Sequence, residues 1–234
     1  MSRPNKVFAL PLWSAIVPLA TINICYLIAT MLDHLPACIT YISGCTSVSS
    51  TGRNLPESLI FKAGMLSSAV VLGLMWHRCA TFLQLGGQAA SRANLIRFFG
   101  FLAAVSLTIY AVTLGLREDE YRFLRRIGIN GFALSNVVTQ VLFIGMYRPM
   151  RIATTRKLVR WLIVLCVALP ALGFASEVAK WLGAPRHQSN NTVAWNAFVV
   201  VSVYYAIIAR IWWHHGFTNA FRITSSGRPA SPSE

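Results

Sequence analysis

The stretch FALPLWSAIVPLATINICYLIATML, residues 8–32, contains no charged side chain. One helix needs about 20 consecutive, mostly apolar residues to cross a hydrocarbon core about 30 Å thick. This stretch meets that length and is about twice as long as the apolar part of a cleaved signal peptide. It therefore predicts a membrane-spanning helix that is retained in the mature protein.

Five further segments have the same character. Apolar residues make up 55% of the 234-residue chain and charged residues 12%, with a mean hydropathy of +0.55, whereas soluble domains are about 25% charged. The segments lack the alternation that a β-barrel strand requires. We predict an all-α, polytopic membrane protein: one bundle within residues 1–217, with six transmembrane helices at about 8–32, 59–76, 98–116, 128–147, 158–176 and 192–213.

The distribution of basic residues predicts the orientation of the bundle. Thirteen Lys and Arg residues lie at one set of span ends with one acid, and eight lie at the other set with six acids. Basic residues near span ends are retained on the cytoplasmic side. We therefore expect both termini to be cytoplasmic, with residues 218–234, which are rich in Ser and Pro, forming a disordered tail.

The net charge of +14 follows largely from this topology. A nucleic-acid-binding protein is the usual alternative for so basic a chain, but the charge is divided among short connections with no soluble domain to form a groove. We predict membrane lipids as partners, because basic residues at the cytoplasmic surface attract anionic headgroups. No nucleic acid is expected, and no particular protein partner is indicated.

The longest predicted connection, residues 33–56, lies on the outer side and contains YISGCTSVSSTGRNLP, residues 41–56. Connections longer than about 12–15 residues are usually functional or disordered. Pro36 and Pro56 bracket this one, and Glu57 after Pro56 is typical of a helix start. We call residues 33–56 the outer loop and expect it to be ordered.

The order YIS, a Ser/Thr/Gly-rich turn, then PES before FKAGM resembles the first luminal loop of the FRAG/DRAM/Sfk-type six-span membrane proteins. That group includes damage-regulated autophagy modulators and a GPI-anchor lipid remodelling factor. The resemblance implies a lipid-related role at the outer or luminal leaflet, with Tyr41, Ser43 and Pro56 as lipid-facing loop residues. The chain departs from the family at Ala194, where members often carry an acid, and at RRIGING in the fourth span, where they often carry a His.

Several outer residues could support chemistry. A His with a carboxylate can act as an acid/base pair on a lipid ester, and His34, Glu57 and Glu118 are the candidate catalytic residues. The alternative is that these residues are ordinary polar residues of the loops with no catalytic role. Convergence of the three side chains would favour catalysis, and dispersal would favour a non-catalytic module.

The cysteines suggest one crosslink. Cys38 and Cys45 share the outer loop, which faces an oxidising compartment, and could form a disulfide. A zinc site with His34 and His187 is the alternative, but it would require distant loops to converge and lacks a C-x-x-C pair. We predict no metal site and no cofactor.

Polar residues in the fourth span offer a second candidate region. Asn136 and Gln140 are four residues apart and share a helix face, with Thr139 beside them. They could line a headgroup cavity, or they could form interhelical hydrogen bonds worth about 0.6 kcal/mol each.

Two functions fit the sequence. One is a non-catalytic membrane module that organises lipids or binds partners; the other is a lipid-remodelling enzyme or acyl-transfer accessory acting on headgroups or GPI-type anchors. The predicted location is the cytoplasmic membrane in a bacterium, and otherwise the Golgi, lysosomal or plasma membrane. The absence of an acid in the middle of any span argues against a proton-coupled transporter.

Overall fold

A computed structural model describes residues 8–116 and 119–217. Within these ranges the chain is helical, has no strand, and contains six helices long and apolar enough to cross a membrane. The predicted all-α six-span fold is confirmed. The helices are α1 (Ala9–Met31), α2 (Thr40–Ser43), α3 (Glu57–Leu85), α4 (Ala90–Thr113), α5 (Asp119–Tyr147), α6 (Arg156–Trp181) and α7 (Arg186–His214). The short α2 belongs to the outer loop.

All the long helices except α1 extend beyond their predicted apolar spans at one or both ends. The third predicted span began at residue 98, but α4 already begins at Ala90, where Arg97 is bonded to Asn94 and to Gln84 of α3. These polar pairs support helix beyond the hydrocarbon core, which hydropathy cannot detect. The same span ends earlier than predicted, because the chain turns at Gly115, whose φ of 87° suits glycine.

Most of the bundle is closely packed. α3 and α4, α4 and α5, and α1 with α3 and α7 form the main contacts. Small residues permit this approach, since a Cβ at Gly100 of α4 would collide with Trp76 of α3. Trp76 lies at the centre of the core, with its ring edge-on to Phe143 and Tyr205.

α6 is packed differently from its neighbours. It contacts α7 but makes only slight contact with α5. Among its 26 residues, those buried are Val159, Leu162 and Ser176. The helix also contains Pro170, which removes a backbone hydrogen bond in its middle. α6 therefore exposes most of its surface to lipid and leaves a lateral opening beside α5.

Candidate functional site

The outer loop folds back onto the bundle. It contains α2, a 3₁₀ turn over Val48–Gly52, and a disulfide between Cys38 and Cys45. The disulfide closes the segment that includes α2. Thr46 and Val48 are buried, so this polar loop has a small interior that it shares with the helices.

One face of α7 holds the loop through its backbone. Asn191 Nδ2 donates to Gly44 O at 2.9 Å, Trp195 Nε1 donates to Thr46 O at 2.9 Å, and Asn196 Nδ2 donates to Tyr41 O at 2.8 Å. These contacts satisfy loop carbonyls that have no partner in regular structure. They explain why the last span begins with so many polar residues.

α1 holds the same loop through tyrosine hydroxyls. The Tyr41 hydroxyl donates to Asn23 Oδ1 at 3.0 Å, and the Cys38 N–H donates to the Tyr26 hydroxyl at 2.8 Å. Both tyrosine rings lie edge-on to Trp195. The side chain of Tyr41, named above as a residue of the lipid-facing loop, therefore points into the bundle and attaches the loop to it.

The other two predicted loop residues lie nearer the surface. Ser43 is exposed and its hydroxyl donates to Ile39 O at 3.0 Å, within the loop. Pro56 is exposed, follows a cis peptide bond after Leu55, and immediately precedes α3. Ser43 and Pro56 shape the loop, while Tyr41 anchors it.

His34 and Glu57 come together at the outer end of the bundle. His34 Nδ1 lies 2.6 Å from Glu57 Oε1, and Glu57 is 1% exposed whereas the His34 side chain is 32% exposed. Glu57 Oε2 is buried without a hydrogen-bond partner among the described residues. The nearby Cys25 Sγ–H donates to the backbone oxygen of Glu57 at 3.5 Å. The pair can exchange a proton with a group that reaches the exposed side of His34.

The third candidate catalytic residue, Glu118, lies outside the described residues. Within the described ranges, no Ser or Cys side chain is hydrogen-bonded to the His34 and Glu57 side chains. An activated nucleophile needs such contact with its base. The geometry therefore provides an acid/base pair without an attached nucleophile.

A cavity of about 600 Å³ lies within the bundle. It is lined almost entirely by apolar side chains, including Phe132 and Val137 of α5, Leu169 of α6, and Ala197 and Phe198 of α7. Its walls include both sides of the opening between α5 and α6. The sequence analysis named Asn136 as a possible cavity residue but did not predict an apolar cavity, although Pro170 and the small residues of the last span mark two of its walls.

Few polar groups reach the cavity. The buried Ser14 hydroxyl lines it and has no hydrogen-bond partner among the described residues. Asn136 lines it as well, and its Oδ1 accepts a 2.5 Å bond from the Tyr205 hydroxyl. Gln140 accepts a 2.9 Å bond from Tyr204 at its backbone oxygen. Asn136 thus makes the interhelical hydrogen bond that was one of the two alternatives for the fourth span, and the cavity that it lines is apolar rather than shaped by polar groups for a headgroup.

The opposite end of the bundle, which carries most of the basic residues, is here called the basic end. There the Tyr147 hydroxyl donates to Thr155 Oγ1 at 2.9 Å and lies 2.8 Å from His215 Nε2. Burial lowers the pKa of His215, and the neighbouring His214 lowers it further. His215 therefore favours its neutral form in the folded protein.

No group of three or more His, Cys, Asp or Glu side chains that could hold a metal ion occurs within the part of the chain that the structure describes. Comparison of the chain with family models, curated proteins and solved structures finds no match.

Proposed function

We propose that this integral membrane protein binds the apolar part of a lipid within its helix bundle and acts as a non-catalytic lipid-binding module. The observation that carries the proposal is the apolar cavity of about 600 Å³ between α6 and the rest of the bundle. Ligand sites typically have volumes of about 300–1,000 Å³ and mostly apolar walls. An apolar cavity is not favourably filled by water, which makes an acyl chain a suitable occupant.

The entrance faces the bilayer rather than water. α6 exposes apolar residues such as Val164, Val167 and Phe174, and its slight contact with α5 leaves an opening at the level of the cavity. A lipid chain can pass through this opening without leaving the hydrocarbon. Lateral entry therefore requires no exposure of apolar surface to water.

The outer loop closes the bundle above the cavity. Trp195, which bonds to the loop, directly follows the cavity residue Ala194. With the disulfide and the contacts from α1 and α7, the loop acts as a fixed lid. A ligand chain in the cavity would thus lie below the lid, while its headgroup stays at the bilayer.

The test fills the cavity. Ala197→Trp places an indole among its walls, and we expect lipid copurifying with the detergent-solubilised protein to fall at least about fivefold, because the volume is occupied. Val203→Trp is the matched control, since Val203 is on the same helix, is 43% exposed and does not line the cavity. Extraction followed by mass spectrometry measures the lipid. Equal lipid in both variants and the unaltered protein would exclude binding in the cavity.

A second candidate function rests on the 2.6 Å contact between His34 and Glu57. This pair could act on a lipid headgroup, as the alternative lipid-remodelling function requires. It is eleven residues along α3 from the cavity residue Ser68, about 16 Å at 1.5 Å per residue, so it acts at headgroup level. The missing nucleophile contact ranks this candidate second.

Paired substitutions separate the two functions. Under the enzymatic alternative, His34→Ala and Glu57→Gln alter the lipid composition of cells that express the protein at normal level, while copurifying lipid stays the same. Unchanged cellular lipids in both variants would eliminate this alternative. Membership of the FRAG/DRAM/Sfk-type family, whose resemblance lies mainly in residues 41–65, remains a proposal that agrees with a lipid-related role. The location is likewise a proposal: the cytoplasmic membrane in a bacterium, and otherwise the Golgi, lysosomal or plasma membrane.

A further inference from the structure

A second hollow lies at the basic end of the bundle, where the chain passes from α5 to α6. It measures about 530 Å³ and is lined by Gly145, Arg148, Pro149, Arg151 and Arg156. We call it the arginine hollow. It is distinct from the apolar cavity, with which it shares no lining residue.

The three arginines of this hollow are exposed, and none of their guanidinium groups has a hydrogen bond or ion pair with another described residue. The acidic residues whose side chains the structure describes belong to the opposite end of the bundle: Asp33, Glu57 and Glu177. Among the described residues, no acidic side chain therefore compensates the positive charge that the hollow concentrates. An anion from outside the chain is the natural counterpart.

The backbone around the hollow is held in place. Two 3₁₀ turns, Arg148–Met150 and Ala153–Thr155, join the helices. The second turn is tied to α5, because the Thr155 hydroxyl accepts from Tyr147 and donates to Ile152 O. A connection fixed in this way loses little conformational entropy when an anion binds.

The N-terminus of α6 adds to the positive electrostatic potential of the hollow. Arg156 is its first residue, and Thr155, which precedes it, makes no side-chain cap. The N-terminal amides of α6 therefore keep their positive partial charge. Guanidinium groups beside them suit the oxygens of a phosphate, which accept two parallel hydrogen bonds from one arginine.

We propose that the arginine hollow binds the phosphate group of an anionic phospholipid in the leaflet at the basic end. The ends of membrane-spanning helices lie at headgroup level, and basic pockets between such helices suit acidic headgroups. This site acts independently of the apolar cavity and of the function proposed for it.

The test compares two pairs of substitutions that remove equal charge from the basic end. Arg148→Gln with Arg151→Gln changes the hollow, whereas Arg92→Gln with Lys157→Gln changes exposed residues outside it. Native mass spectrometry in neutral detergent measures binding of dioleoylphosphatidylglycerol, with dioleoylphosphatidylcholine as the zwitterionic comparison.

We expect the hollow pair to weaken phosphatidylglycerol binding about tenfold or more, as expected for lost charged hydrogen bonds. The control pair should change binding less than about threefold, because Arg92 and Lys157 do not line the hollow and affect a lipid there only through charge that solvent screens. Phosphatidylcholine binding should be the same in all proteins. Equal losses from the two pairs, or no loss from the hollow pair, would overturn the proposal.

A further substitution tests whether binding needs the open space of the hollow as well as its charge. Gly145→Leu keeps every charge but extends a side chain from the hollow wall, where a Cβ meets no atom within 4 Å. It should weaken phosphatidylglycerol binding, while Gly173→Leu, at a similarly open position on α6, should not.

The source of the phosphate is tested by competition. If millimolar inorganic phosphate displaces the lipid from the unaltered protein, the site serves a soluble phosphate and the lipid assignment is wrong.

Discussion

The two ends of the bundle are held together by different interactions. At the outer end, a polar loop is attached by hydrogen bonds from the side chains of α1 and α7 to its backbone, and by one disulfide. At the basic end, aromatic rings pack closely: Phe82 lies within 5.2–6.3 Å, between ring centroids, of Tyr147, Trp212, His215 and Phe217. Hydrogen bonds to the loop backbone thus dominate at the outer end, and packing of aromatic rings dominates at the basic end, where Tyr147 also bonds to Thr155.

Two buried tryptophans show the contrast directly. Trp195 at the outer end donates its Nε1–H to Thr46 O at 2.9 Å, whereas Trp212 at the basic end has a buried Nε1 with no hydrogen-bond partner among the described residues. A buried indole N–H usually finds a partner, so the packing of the Trp212 ring must offset the cost of the unmade bond. A loop without an apolar core of its own needs the bonds that its neighbours provide.

The largest expected effect comes from removing the disulfide at the outer end. Cys38→Ser with Cys45→Ser opens a loop with a sequence separation of 7 and should lower the free energy of unfolding by about 2.5 kcal/mol through a larger unfolded-state entropy. Thermal unfolding in detergent measures this change. Dithiothreitol should destabilise the unaltered protein and leave the double variant unchanged; equal sensitivity of the two would contradict the role of the bond.

A smaller effect sharpens the comparison at the two tryptophans. Trp195→Phe and Trp212→Phe remove the same atoms from fully buried positions, but only the first loses a hydrogen bond and leaves Thr46 O unpaired. We expect Trp195→Phe to cost about 1–2 kcal/mol more than Trp212→Phe. Denaturation of both variants under one condition gives the difference. Similar losses of stability in the two variants would mean that ring packing, rather than the hydrogen bond from Trp195 to Thr46 O, attaches the outer loop.

The smallest effect concerns pH at the basic end. Because burial lowers the pKa of His215 below its usual 6.5, the unfolded chain binds more protons near that pH. The contribution of His215 to the free energy of unfolding is therefore present above pH 6.5 and is lost as the pH falls below that value, by less than about 1 kcal/mol over the first half unit of pH.

His215→Gln should reduce this pH dependence, measured as the melting temperature between pH 8 and pH 5.5. His77→Gln is the matched control, because it removes an imidazole from an exposed position. An identical pH profile for His215→Gln and the unaltered protein would place the sensitivity elsewhere in the chain.

Hydropathy predicted the six spans because hydrocarbon thickness sets a minimum length that is independent of packing. It could not predict the helix ends, as α4 shows, where the pairing of Arg97 with Gln84 supports helix outside the apolar span. The candidate pair His34 and Glu57 could be named from its residue types and its side of the membrane. Its 2.6 Å contact depends on how α1 approaches α3, which the local sequence does not encode.

By itself, the sequence determined that the protein spans a membrane, that it is helical, how many spans it has, and which end of the bundle is more basic. All four follow from composition and from the distribution of charge along the chain. Tertiary structure alone decided that Tyr41 faces inward, that α6 stands apart from α5, and that a cavity lies between them. These features arise from which helix faces meet, and that choice depends on residues far apart in sequence, such as Asn196 and Tyr41, which only the folded bundle brings into contact.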